Sequence, residues 1–252
     1  MVQAPSGMAQ APVMRKIELY TINHVPSGAG RIYGGISKEF VCGYDDRQGD
    51  QISKLETYAD MRAPYWIWKN RDDLDIIGFQ GYRKFLDFRN ILKVPAWYDV
   101  GLGDFRFYQN WLAAYDGEYI QWLLSQYDII VTSPFDCSYN GNIAEDFRIS
   151  RSYADWKIFE DVMPYTAGEY YRTRHIYPMH FVTRAPVFNR FMEWWWPRAE
   201  EIRSRIKSID VHDPAYLHRP MAYMSERIFS LWLDHSGLSL FKVPLLNCWE
   251  AK

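Results

Sequence analysis

The stretch LDIIGFQGYRKF, residues 74–85, decides how this chain is read. Ile76-Ile77-Gly78-Phe79 is a short apolar run with the length and residue types of a buried strand. The strand ends at a glycine, and Tyr82, Arg83 and Lys84 follow. In α/β proteins ligands settle beyond the carboxyl ends of strands. A guanidinium and an ammonium group at such a mouth suit a diphosphate. The plainer alternative is a solvated turn.

Working outward, RKIELYTINH (15–24) reads as a first strand, and the glycines of the following loop lack the setting of a dinucleotide fingerprint. In GDQISKLETYADMRAPYWIWKN (49–70), Ser53 with Glu56 three residues on predicts a capped helix start. Ile52, Leu55, Ala59, Arg62 and Trp66 keep near-helical spacing, and Pro64 should kink or restart that helix. Beyond residue 86 come a loop-rich aromatic stretch (87–117), a short helix to Ser125 and an apolar strand, YDIIVTSP (127–134). Helices are expected over 142–163 and a strand over 179–184. Phe188, Phe191, Trp195, Ala199, Ile202 and Ile206 step by three and four, an amphipathic stripe that Pro197 should bend. A helix over 220–237 leads into one last strand, LSLFKVPLL (238–246). Strands interleaved with helices predict a single α/β domain over residues 14–252, after a flexible lead-in at 1–13.

The 252 residues suffice for a substantial core, and 48% hydrophobic with 24% charged content is ordinary for a globular protein. A net charge of −2 gives no whole-chain signal for nucleic acid or an anionic membrane. Cys42, Cys137 and Cys248 lie far apart, against a zinc site or disulfide framework and in keeping with a reducing compartment. With no apolar run long enough to span a bilayer and no signal-peptide pattern at the start, a cytoplasmic protein is expected. The 17% aromatic content suits stacking on sugars or bases, and equally a bulky core.

Among recognised catalytic patterns, HExxH, GxSxG and the Walker loop are all missing from the sequence. What remains are acids and cations at element ends. Glu226 sits on a helix that is apolar nearly all round, with no basic residue three or four positions away. A buried carboxylate needs a partner or a task. It is read either as half of an ion pair with a distant arginine, Arg83 for instance, or as a general base. Ser53, at its helix amino terminus, offers a second anion site, and Asp50 beside it can hold a ribose or sugar hydroxyl. Lys69 and Arg71 precede the 76–79 strand and belong to its opposite end.

The ordered set GDQISKLETYADMRAPYWIWKN, DIIGFQGYRKF, YDIIVTSP, HFVTRAPVFNRFMEWWWPRAEEI and RPMAYMSERIFSLWL resembles bacterial capsular and exopolysaccharide biosynthesis glycosyltransferases. These were long catalogued as a domain of unknown function, and they include the galactofuranosyl-transferring domain of an O-antigen polymerase. The family's Gly-Asp-Asn-Ile-Ser start falls on residues 49–53, its Tyr-Trp-x-Trp-Lys-Asn helix end on 65–70, its His-Tyr-Arg-Arg mouth on 81–84 and its Glu-Arg-Leu-Phe helix on 226–229. Gln51, Gly81 and Lys84 depart from it, and Gly81 removes an imidazole from the mouth.

The resemblance implies a GT-A-like nucleotide-sugar transferase architecture, with a mostly parallel central sheet flanked by helices. It implies a hexosyltransferase that moves a hexosyl unit, galactofuranosyl among the candidates, from a UDP-sugar to an oligosaccharide or lipid-linked acceptor with inversion. Donor binding would fall to Tyr82, Arg83, Lys84, Arg227, Asp50, Ser53 and Lys69, acceptor binding to Trp66 and Arg219, and base catalysis to Glu226. Asp73 and Asp75 stand at the wrong end of the strand to hold a metal, so fixed cations would neutralise the diphosphate. No tightly bound cofactor is expected, though manganese or magnesium stays compatible with the reading. At most a peripheral membrane contact is expected, at the inner face, with EWWWP (193–197) as a patch or, more simply, as core. A carbohydrate-binding scaffold and a sugar-phosphate or polyol-phosphate transferase are the rival readings.

Overall fold

The computed structural model describes residues 16–24, 26, 34–88, 97–101 and 117–249. The lead-in and most of the aromatic stretch at 87–117 lie outside the described residues. Strands β1 (Ile17–Asn23) and β2 (Ser37–Val41) come first, then α1 (Arg62–Asn70), β3 (Ile76–Gly81), β4 (Lys84–Leu86) and β5 (Trp97–Gly101). Next are α2 (Gly117–Gln126), β6 (Ile129–Thr132), β7 (Phe135–Asp136), α3 (Ile143–Ser150), α4 (Tyr153–Val162) and α5 (Ala167–Arg172). They are followed by β8 (His175–Ile176), β9 (Phe181–Arg184), α6 (Ala185–Arg205), α7 (Pro214–His218), α8 (Pro220–His235), β10 (Leu240–Val243) and β11 (Leu245–Trp249).

Nine of these strands form one sheet in the order β10-β6-β9-β3-β4-β11-β5, with β1 also beside β3 and β2 outside β1. The expectation of a mostly parallel, GT-A-like sheet is overturned, because the sheet is mixed. β1 with β2, β1 with β3, β6 with β10 and β5 with β11 are parallel. β3 with β9, β6 with β9, β3 with β4 and β4 with β11 are antiparallel. Two local features cause this. After β3 the chain turns back at once through Tyr82 and Arg83, pairing Gly81 with Lys84, and so short a return is possible only between antiparallel strands. At the other end, Pro244 cannot donate to a ladder. The expected last strand is accordingly cut into β10, which pairs with β6, and β11, which pairs with β4 and β5.

Side-chain alternation sends the two faces of the sheet into two cores. Ile77, Phe79, Val131 and Phe181 join the larger one, with α1, α6 and α8. Ile76, Leu19, Ile130 and Val182 join the smaller one, against α2. Gly78 faces the smaller core, where a Cβ would stand 2.6 Å from Leu19 Cδ1 and 2.8 Å from Val182 Cγ2, so only glycine fits.

The stripe on α6 behaves as its spacing requires, with Phe188, Phe191, Trp195, Ala199 and Ile202 buried. The helix runs on through Pro197. Trp195 donates to Ser225 Oγ at 3.2 Å and Trp196 packs on Tyr65 with ring centroids 4.3 Å apart, so these two tryptophans serve the core. No described helix is long and apolar enough to cross a membrane.

The predicted helix start at Ser53 is corrected. Helical structure begins at a 3-10 segment, Glu56–Met61, whose preceding residue, Leu55, makes no capping bond. α1 then restarts with Pro64 in its first turn, where a missing N–H costs nothing. The Ser53 side chain is used locally, donating to Gln51 Oε1.

Candidate functional site

The carboxyl ends of the parallel pair β1 and β3 open onto a cavity of about 670 Å³. Its walls are the β3–β4 turn, the 3-10 segment Glu56–Met61, the start of α8, the end of α3 and the ribbon of β7 and β8. Of the residues singled out in the sequence, Tyr82, Arg83, Lys84, Arg219, Glu226 and Arg227 line it together. Asp50, Ser53, Lys69 and Trp66 are not in its wall. Asp50 accepts from Tyr65 Oη at 3.0 Å, Lys69 lies 3.6 Å over the Trp68 ring, and Trp66 donates to Gln48 O at 2.7 Å. Asp73 and Asp75 stand at the amino end of β3, held by Arg71 and Lys16.

Glu226 projects from α8 with 29% of its side chain exposed. Its partner is its own neighbour, since Arg227 Nη1 donates to Oε2 at 3.1 Å. The same guanidinium donates from Nη2 to Asp146 Oδ2 at 2.9 Å, and it is 4% exposed. Burial pushes the Glu226 carboxyl above its ordinary range, against the pull of Arg227, Lys84 and Arg151. Arg227 is therefore committed to two carboxylates. Among the described residues, Lys84 and Arg219 have no carboxylate within ion-pairing distance. Lys84 sits 5.6 Å over the Trp97 ring and Arg219 donates to Tyr223 Oη at 3.3 Å. The Arg83 guanidinium stacks 4.9 Å over Tyr82, and its carbonyl accepts from Cys248 N at 2.8 Å, which fastens the turn to β11.

Three wall residues were given no site role from the sequence. His180 precedes β9 and is buried, with no partner on Nδ1 among the described residues. Burial, then the charge of Lys84, holds its pKa down to about 3. A Cβ at residue 81 would lie 3.2 Å from His180 Nε2, so an imidazole does reach this mouth, from the residue that leads into the neighbouring strand β9. His24 and Asp60 form an ion pair at 3.0 Å. The hydrogen bond to Asp60 raises His24. Burial pushes Asp60 up, but His24, with help from His180 and Arg219, outweighs it and leaves the carboxyl below its usual range. Ala59, just before it, has φ 44° and ψ −117°, a conformation that suits glycine and costs another residue on the order of 1–3 kcal/mol. His24 had a visible signal, its position as the last residue of a predicted strand, whereas a backbone angle leaves none.

Such a fold and cleft define an α/β protein with fixed cations and carboxylates gathered where two parallel strands end. More particularly, the chain belongs to the family described as a domain of unknown function, DUF4422, whose model matches residues 34–237. Its structure is similar to the apo structure of the bifunctional glycosyltransferase WbbM, with a TM-score of 0.74 over 92% of this chain at 18% identity. That similarity shows a shared fold, and the chain covers 45% of the WbbM chain. No curated protein matches the sequence.

Proposed function

We propose that this protein is a glycosyltransferase that moves a hexosyl unit from a UDP-sugar to a glycan acceptor in bacterial surface-polysaccharide assembly, with inversion. The observation that carries the reading is one cavity shared by the cationic β3–β4 turn and by Glu226. Arg83, Lys84 and Arg219 supply the positive charge for a departing diphosphate, which fixed cations stabilise without reorganising. Glu226, with its raised pKa, takes the proton of the acceptor hydroxyl as the new glycosidic bond forms and the bond to the diphosphate breaks. Arg227 orients Glu226 and contributes little charge to the donor, because Asp146 shares it. The likeness to WbbM supports sugar transfer as the class of reaction, and galactofuranose is one donor sugar to examine. In this reading fixed lysine and arginine side chains take the charge-neutralising role that a divalent ion plays elsewhere.

Titration calorimetry with UDP tests the reading. Binding is expected in the wild type and should weaken at least tenfold in Lys84→Ala. Heat-silent titrations with UDP and UDP-hexoses alike would overturn it. Activity abolished by a chelator and restored by manganese would overturn the metal-free part alone.

A further inference from the structure

Among the described residues, Asp60 is the wall carboxylate whose backbone support is strained and whose partner is a histidine. Asp146 is consumed by Arg227 and by Asn140, which donates at 2.9 Å, Glu226 also shares Arg227, and Asp136 accepts from Ser138 N at 2.8 Å. Asp60 by contrast keeps 49% of its side chain exposed, and among the described residues its ion-pair partner is an imidazole that is itself half-exposed. The 3-10 segment that carries it packs against α8, the helix of Glu226. Ala59, at φ 44°, is itself 7% exposed and part of the cavity wall. A backbone conformation disfavoured for alanine persists only where surrounding packing imposes it, and such sites gather where a side chain must be aimed. Here the side chain aimed into the cavity is that of Asp60.

Charge decides what can sit there. An ionised carboxylate repels a diphosphate, whose place is beside Lys84 and Arg219. It accepts strong hydrogen bonds from neutral hydroxyl groups, and adjacent hydroxyls can use both oxygens. A nucleotide sugar has both ends, one anionic and one polyhydroxylic. We propose that Asp60, displayed by the strained Ala59 and oriented by His24, binds the hydroxyls of the sugar being transferred and so sets which sugar is accepted. This rests on the nucleotide-sugar reading above and assigns that substrate's second end.

The test compares UDP with UDP-glucose, UDP-galactopyranose and UDP-galactofuranose on the full chain, in binding and in transfer. In Asp60→Asn the Kd for UDP should stay within about twofold, while kcat/KM for the preferred UDP-sugar should fall about 10- to 100-fold, the worth of a hydrogen bond to a charged group. Asp60→Glu keeps the charge and moves it by one methylene. It should fold, raise KM for the preferred sugar and narrow its advantage over the other two. The proposal falls if Asp60→Asn weakens UDP itself as much as the UDP-sugar, or if both variants keep the wild-type sugar preference. Failure of the wild type to bind UDP or any of the three UDP-sugars overturns the parent reading with it, a result distinct from either.

Discussion

His180 should make the protein acid-sensitive by an amount that can be worked out. In the folded state its imidazole is neutral down to about pH 3, whereas in the unfolded chain it takes a proton near 6.5. Between those values the unfolded state binds more protons, so stability rises with pH and is lost as pH falls through 6.5. pH 5 lies about 1.5 pH units below the unfolded pKa, and each pH unit is worth about 1.4 kcal/mol for the one proton involved, or about 2 kcal/mol in all. That figure does not depend on the folded pKa as long as it lies below about 4, so it reports burial beside Lys84 and little else. Substituting His180→Asn removes the titration and leaves every carboxylate in place. Urea unfolding of both proteins at pH 7 and pH 5 isolates the difference. The wild type should lose about 2 kcal/mol more than the variant between the two conditions. Equal losses would show that the folded imidazole protonates freely, and the dry environment assigned to it would be wrong.

Two further outcomes are expected. Gly78→Ala places a methyl group 2.6 Å from Leu19 and 2.8 Å from Val182 in a sheet that cannot part locally, so a loss of about 1–3 kcal/mol should appear in thermal unfolding; an unchanged midpoint would contradict that packing. Glu226→Gln should lower sugar transfer by about 10²- to 10⁴-fold with UDP affinity nearly intact, and it should remove an activity limb that the wild type shows above the ordinary carboxylate range. Full transfer by that variant would assign the base elsewhere.

The elements themselves were largely legible, and their arrangement was not. The spacing from Phe188 to Ile202 marks a buried helical face, and Ile76 to Phe79 marks a strand, because burial periodicity is a local property of sequence. Strand direction is not local. Nothing in GYRK distinguishes a strand mouth from a hairpin turn, and the pairing of β4 with β11 is settled by residues at the far end of the sequence. The same limit explains the site. Lys84 stood out as a cation at a strand end, Glu226 as an acid on an apolar helix and Arg219 through the family resemblance, and the cavity does gather them. Helical neighbours meet three and four residues apart, which leaves Glu226 without a local partner in the sequence, whereas its partner is the adjacent Arg227, turned inward to reach Asp146. Ser53 and Glu56 matched a capping pattern, but the segment turns as a 3-10 helix through a left-handed alanine that no propensity scale anticipates.

The fastening of the Tyr82–Arg83 turn to Cys248 carries a consequence for biosynthesis. β4 is held on one side by β3 at a single residue pair and on the other by β11 over three. A nascent chain that has emerged only through α8 therefore displays β4 as an open sheet edge, with its cationic turn fastened at Tyr82, to Ile22 O, and not yet at Arg83. Chaperone dependence and premature aggregation should concentrate in the interval before residues 245–249 clear the ribosome, and cleft formation should wait on the docking of β11.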